Sequence, residues 1–121
     1  MNEGILFWNV DTQIDFIEPS GKLYVKGAEK LKPVFRKITQ FAADNQIRVI
    51  NTCDYHLINS SELSGNPDYK STFPEHCMAG SNGAEFINET KPAFPAIVDW
   101  MINLAILPQL ANAQQFRNIV I

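Results

Sequence analysis

The sequence has little that would direct it to a membrane, a nucleic acid or an oxidising compartment. No apolar run reaches the roughly 20 residues that a spanning helix needs. The N-terminus, Met1-Asn2-Glu3-Gly4, is acidic and precedes only a short apolar run, so no secretory signal is expected. Ten Lys and Arg against thirteen Asp and Glu leave a net charge of −3. That balance offers no basic footprint, and nucleic acid is not an expected partner. Only two cysteines occur, Cys53 and Cys77. They could pair in principle, but reduced thiols in the cytoplasm are the simpler expectation. Repeats, linkers and low-complexity tracts are absent, and 121 residues with 45% hydrophobic content suit one globular domain.

What is present begins with Ile5-Leu6-Phe7-Trp8-Asn9-Val10, where apolar residues occupy both parities. That pattern predicts a strand covered on both faces, as in a parallel sheet. Asp11-Thr12-Gln13-Ile14-Asp15-Phe16 follows at its carboxyl end, where open α/β sheets place their chemistry. Pro19, Gly21 and Gly27 mark a loop. Leu31, Val34, Phe35, Ile38, Phe41 and Ala42 then form one helical stripe, expected to pack on the sheet. Pro33 is tolerated only in the first turn, so the helix should start near Lys30 or Leu31, and Asn45 should stop it. Ile47-Arg48-Val49-Ile50-Asn51-Thr52 is the second strand, and strand, helix and strand in this order form a right-handed unit with parallel strands. Asp11 and Asp54 therefore leave the same sheet edge. Phe94–Leu110 reads as mostly helical, and Asn118–Ile121 as the start of a third parallel strand.

The stretch from Asp54 to Cys77 carries the chemistry. It opens with Asp54 and His56 and closes with His76, and these are the only two histidines in the chain. A carboxylate and two imidazoles leaving a strand end can ligate a zinc-like divalent ion and leave coordination positions open. Glu62 could supply a fourth oxygen or stay outside the shell. The plainer reading keeps Asp54 as a turn cap and the histidines in solvent, since D-x-H with a distant His is a weak signal by itself.

Several motifs occur together: Val10-Asp11-Thr12-Gln13-Ile14-Asp15-Phe16, Thr52-Cys53-Asp54-Tyr55-His56, Ser64-Gly65-Asn66-Pro67-Asp68-Tyr69, Phe73-Pro74-Glu75-His76-Cys77-Met78-Ala79-Gly80 and Gly83-Ala84-Glu85-Phe86. In this order they resemble the nicotinamidase/pyrazinamidase branch of the isochorismatase-like cysteine hydrolases, over roughly residues 5 to 87. The resemblance implies a three-layer α/β parallel-sheet, Rossmann-like fold, with residues 1–121 as the N-terminal part of one hydrolase domain. It implies Asp11 as the catalytic aspartate that takes the proton of a cysteine nucleophile and later helps protonate departing ammonia. A thiol needs such a base before it can attack. Asp54, His56 and His76 match the family's metal ligands, with Glu62 as a possible direct or water-mediated one. Zinc is the first expectation, with manganese or iron as alternatives. In the family the metal orients a pyridine nitrogen. Phe16 and Phe73 match aromatic walls of the pocket, though both could equally be core residues.

The implied function is metal-dependent hydrolysis of a small heteroaromatic carboxamide, nicotinamide plus water giving nicotinate and ammonia, in cytoplasmic NAD salvage by a homo-oligomer. The alternatives are an isochorismatase-type hydrolase, against which the metal triad argues, and an inert metal-binding chain. The family's catalytic lysine and nucleophilic cysteine are expected beyond Ile121, so the 121-residue chain alone is expected to be inactive. Adjacent residues in an extended loop point apart, so His76 and Cys77 are not read as a dyad. Cys53 is read as a small buried hydrophobe and Lys91 as a surface residue.

Overall fold

In a computed structural model, residues 4–93, 96–97 and 118–120 are described. The chain begins with β1 (Leu6–Val10), continues through the one-turn α1 (Ile14–Ile17) and a 3₁₀ turn (Ala28–Leu31), and enters α2 (Lys32–Asp44). Next come β2 (Arg48–Thr52), a second 3₁₀ turn (Asn82–Ala84), β3 (Ala96–Ile97) and β4 (Asn118–Val120). All strand pairs are parallel, in the order β1-β2-β4-β3. The parallel relation of β1, β2 and β4 is the one the βαβ reading requires. Asn118–Val120 is fourth rather than third in chain order. Ala96–Ile97, inside the stretch read as mostly helical, is a short strand paired with β4. The remainder of that stretch lies outside the described residues.

The helix behaves as its sequence dictates at both ends. Pro33 sits in the first turn, where its missing N–H costs no bond. At the other end the Ile47 N–H donates to Ala42 O at 2.8 Å and the Gln46 N–H to Ala43 O at 3.2 Å. Gln46 therefore occupies the left-handed position of a Schellman stop, at φ 53°, where glycine is usual. Asn45 reinforces the stop by donating its side-chain amide to Phe41 O at 2.9 Å.

Packing of α2 on the sheet is partial. Phe41 stacks on Phe7 with centroids 6.4 Å apart, and Ala42 is buried. Yet Leu31, Val34, Ile38 and Phe41 remain about half exposed. An open groove of about 480 Å³, bordered by Phe7, Val49, Phe35 and Ile38, separates helix from sheet. The double coverage expected for β1 is also incomplete, since Leu6, Trp8 and Val10 are more than half exposed. A compact core does form near the carboxyl edge, where Ile17, Ala28 and Ile87 meet Ile14, Phe16 and Phe35. It anchors α1 beside the strand ends.

Replacing Gln46 with glycine removes the steric penalty of a side chain at positive φ and keeps both capping bonds. Gln46→Gly is expected to raise folding stability by about 1 kcal/mol, read as a higher urea midpoint at unchanged slope.

Candidate metal centre

The sheet register sets the site. Val10 lies opposite Thr52, so Asp11 and Cys53-Asp54 leave the same edge side by side. The Asp11 N–H donates to Thr52 O at 3.1 Å, and the Thr52 hydroxyl donates to Asp11 Oδ1 at 2.6 Å. Asp11 turns sharply here, at φ 50°.

From Asp54 the chain departs and then folds back on itself. The His56 N–H donates to Cys77 O at 3.0 Å, and the Ala79 N–H to His56 O at 2.8 Å. These bonds lay the returning leg against the departing one and put His76 beside His56. Further out, Leu63 pairs with Phe73. At the tip Asp68 accepts from the N–H groups of Lys70, Ser71 and Thr72 and from the Ser71 hydroxyl. These donors hold its carboxyl far below the usual carboxylate range. A polar, irregular loop is thus made rigid by its own bonds.

The result is convergence. Asp54, His56 and His76 bring one ligand atom each to within 4.8 Å of one another. Asp54 Oδ2 lies 3.7 Å from His56 Nε2 and 3.4 Å from His76 Nε2, and the two rings stand 4.6 Å apart. Both histidines are buried. His76 Nδ1 is 2.7 Å from Pro74 O, and a carbonyl only accepts, so Nδ1 donates there and Nε2 is the ring nitrogen turned toward the cluster. His56 Nδ1 is held by the Ser60 hydroxyl at 3.0 Å. Its Nε2 is buried without a hydrogen-bond partner. An orphaned buried imidazole nitrogen beside a carboxylate is costly and suits a divalent cation. Anchoring of the far ring nitrogen is also how metal-binding histidines are usually oriented.

The other candidate residues are placed as follows. Glu62 is exposed and stays outside the three-residue group. Phe16 and Phe73 flank His76, with ring centroids at 5.6 and 6.2 Å. Phe16 also packs against the core cluster, in keeping with the core reading. Lys91 is exposed beside Glu85. Neither cysteine forms a disulfide. Cys77 is fully buried, and burial, reinforced by the negative charge of Asp15, pushes its thiol up to about 12. Burial likewise raises Cys53, with Asp11 and Asp54 adding to the effect. Neither thiol is poised as a nucleophile.

Asp15, to which the sequence assigns no role, has a structural part. It is buried, and Oδ2 accepts the Cys77 N–H at 2.7 Å while Oδ1 accepts the Lys22 N–H at 3.1 Å. Cys77 itself sits at φ 44°, so this bond secures a strained residue next to His76. Gly83 is needed beside it, because a Cβ there would come within 2.1 Å of the Asp15 carboxylate.

No protein-family model matches the chain. Over 77 residues it is 40% identical to a nicotinamidase/pyrazinamidase of Mycobacterium tuberculosis, an alignment covering 64% of this chain and 40% of that relative. The chain thus spans well under half the length of the curated relative it matches. A pyrazinamidase of Pyrococcus horikoshii, solved in complex with zinc, superposes with a TM-score of 0.59 at 26% identity, over 68% of this chain and 44% of that one. An isochorismatase family protein from Desulfovibrio vulgaris superposes with a TM-score of 0.61 at 24% identity, over 74% and 47% of the two chains.

The burial of Cys77 gives a direct chemical check. Under native conditions at pH 8, an aromatic disulfide reagent should modify Cys53 at most, with the second equivalent reacting only after denaturation. Rapid reaction of two thiols in the folded protein would contradict the placement of Cys77.

With the parallel sheet, the strand-end loop and these likenesses together, the chain has an isochorismatase-like α/β fold and resembles nicotinamidase/pyrazinamidase in sequence.

Proposed function

We propose that this chain carries the metal-binding part of an amidohydrolase that converts nicotinamide, or a closely related heteroaromatic carboxamide, to the acid and ammonia. The observation that carries the reading is the partnerless, buried His56 Nε2 facing Asp54 and His76 at the sheet edge from which Asp11 also emerges. Asp54, His56 and His76 would hold the ion, with zinc favoured by the imidazole-rich donor set and manganese or iron compatible with it. When bound, the ion supplies a Lewis-acid contact that orients a ring nitrogen donor of the substrate. Phe16 and Phe73, on either side of His76, would wall a flat ring.

Asp11 is the proposed proton acceptor, its carboxylate held by the Thr52 hydroxyl. The thiol it serves would add its sulfur to the carboxamide carbon. The C–N bond breaks, and ammonia leaves with the proton that Asp11 returns. Water then cleaves the thioester, releasing the acid and restoring the thiol. Cys53 and Cys77 are both pushed toward the neutral thiol, so the nucleophile is assigned outside these residues. The reaction would belong to cytoplasmic NAD salvage, in a protein expected to be a homo-oligomer. The metal cluster is what disfavours an isochorismatase-type reaction.

The test is ammonia release from nicotinamide by the full gene product. Stripping the ion with a chelator should abolish turnover, and zinc should restore it. Asp11→Ala should lower kcat by roughly 10²- to 10⁴-fold. The 121-residue chain alone should bind the ion without releasing ammonia. Turnover that survives both Asp11→Ala and metal removal would overturn the reading.

A further inference from the structure

We propose that Gln13 is a positioning residue for the metal centre, its side-chain amide setting where Asp54 presents its carboxylate. The inference rests on the reading of Asp54, His56 and His76 as metal ligands.

Gln13 is completely buried, although its side chain is polar. Its Oε1 accepts the Asp54 N–H at 2.8 Å, while Nε2 donates to Asp54 O at 2.7 Å and to Ala84 O at 2.7 Å. Both amine hydrogens are therefore used, and the first two bonds close a ring with one residue's own N–H and C=O. Only a primary carboxamide offers a donor and an acceptor with that spacing. Glutamate would set a carboxylate against two carbonyls, and methionine, of similar length, offers neither group.

The position of Asp54 in the chain makes this pairing matter. The β1–β2 register ends at Val10 and Thr52, and Asp11 adds one last bond to Thr52 O. Asp54 lies two residues past that register, where the Gln13 side chain takes the role of a neighbouring strand. Gln13 is itself held firmly. Its carbonyl accepts the N–H groups of Phe16 and Ile17, and its backbone pairs with Phe86. The flanking bonds, Ile14 N–H to Glu85 O and Ile87 N–H to Thr12 O, brace the Ala84 end of the clamp.

Two observations favour positioning over plain structural support. The clamp grips the backbone of a ligand residue directly, and metal–ligand distances tolerate only about 0.2 Å of error. The histidine rings have hydrogen bonds of their own to orient them, His76 to Pro74 and His56 to Ser60. Asp54, on a partly exposed side chain, depends most on its backbone.

The experiment is a cobalt(II) titration of the full gene product, followed by d–d absorption, for wild type, Gln13→Met, Gln13→Ala and Ile47→Ala. Ile47 is buried just before β2, at the end away from Asp54, so the last variant controls for lost stability. Thermal midpoints are measured in parallel. The Gln13 variants should bind cobalt roughly 10- to 100-fold more weakly than wild type, as removal of residues supporting metal ligands usually does. Ile47→Ala should stay within about twofold of wild type even where its thermal midpoint falls as far. Unchanged affinity in the Gln13 variants, or an equal loss in Ile47→Ala, would overturn the positioning role and leave the metal site standing. A wild-type protein with no cobalt band would overturn both. Should neither Gln13 variant fold, proton exchange of the Gln13 amide in the wild-type protein decides. Slower exchange on adding zinc supports the coupling, and no change refutes it.

Discussion

Two imidazole nitrogens and a carboxylate oxygen converge at the carboxyl edge of the sheet, and one of the nitrogens is buried with no hydrogen bond. Such a cluster of electron-pair donors does not hold itself together. Burial of the two rings removes water that would otherwise satisfy their nitrogens, and His56 Nε2 has no hydrogen-bond partner. Much of the surrounding chain fixes the positions of these groups. The Pro74 carbonyl and the Ser60 hydroxyl hold the rings, Gln13 holds the Asp54 backbone, and Asp15 holds the Cys77 turn.

The backbone contributes through conformations that side-chain-bearing residues seldom adopt. Asp11 and Cys77 both lie at positive φ, each next to a group of the site. Asp11 bends out of β1 there, which aims its carboxylate at Thr52. Cys77 bends so that its N–H reaches Asp15 while its carbonyl accepts from His56. Strain of this kind persists only where neighbouring bonds determine it, and here the Asp11 bonds tie it to the end of β2 while the Cys77–Asp15 bond joins the two loops.

Strands β1, β2 and β4, the helix and the parallel order were legible because hydrophobic periodicity, Pro33 and Asn45 are local signals. The convergence of Asp54, His56 and His76 was legible in outline because the only two histidines share one loop with Asp54. Gln13 and Asp15 were not. A glutamine after a strand looks like any polar loop residue, and an aspartate there looks like a turn cap. Their partners, Asp54, Ala84 and Cys77, lie tens of residues away, and no spacing rule connects them. The open face of β1 was missed for a related reason. A run apolar at both parities says that both faces can be buried, not that the described chain buries them. Ala96–Ile97 was hidden inside a run whose apolar content suits helix and strand alike.

The central claim is that Asp54, His56 and His76 together bind one divalent ion. X-ray absorption at the zinc edge of the zinc-loaded protein tests it most directly. The account predicts a nitrogen and oxygen shell at about 2.0–2.2 Å, multiple-scattering features of two imidazoles, and no sulfur. A sulfur shell near 2.3 Å, or fewer than two imidazoles, would contradict it.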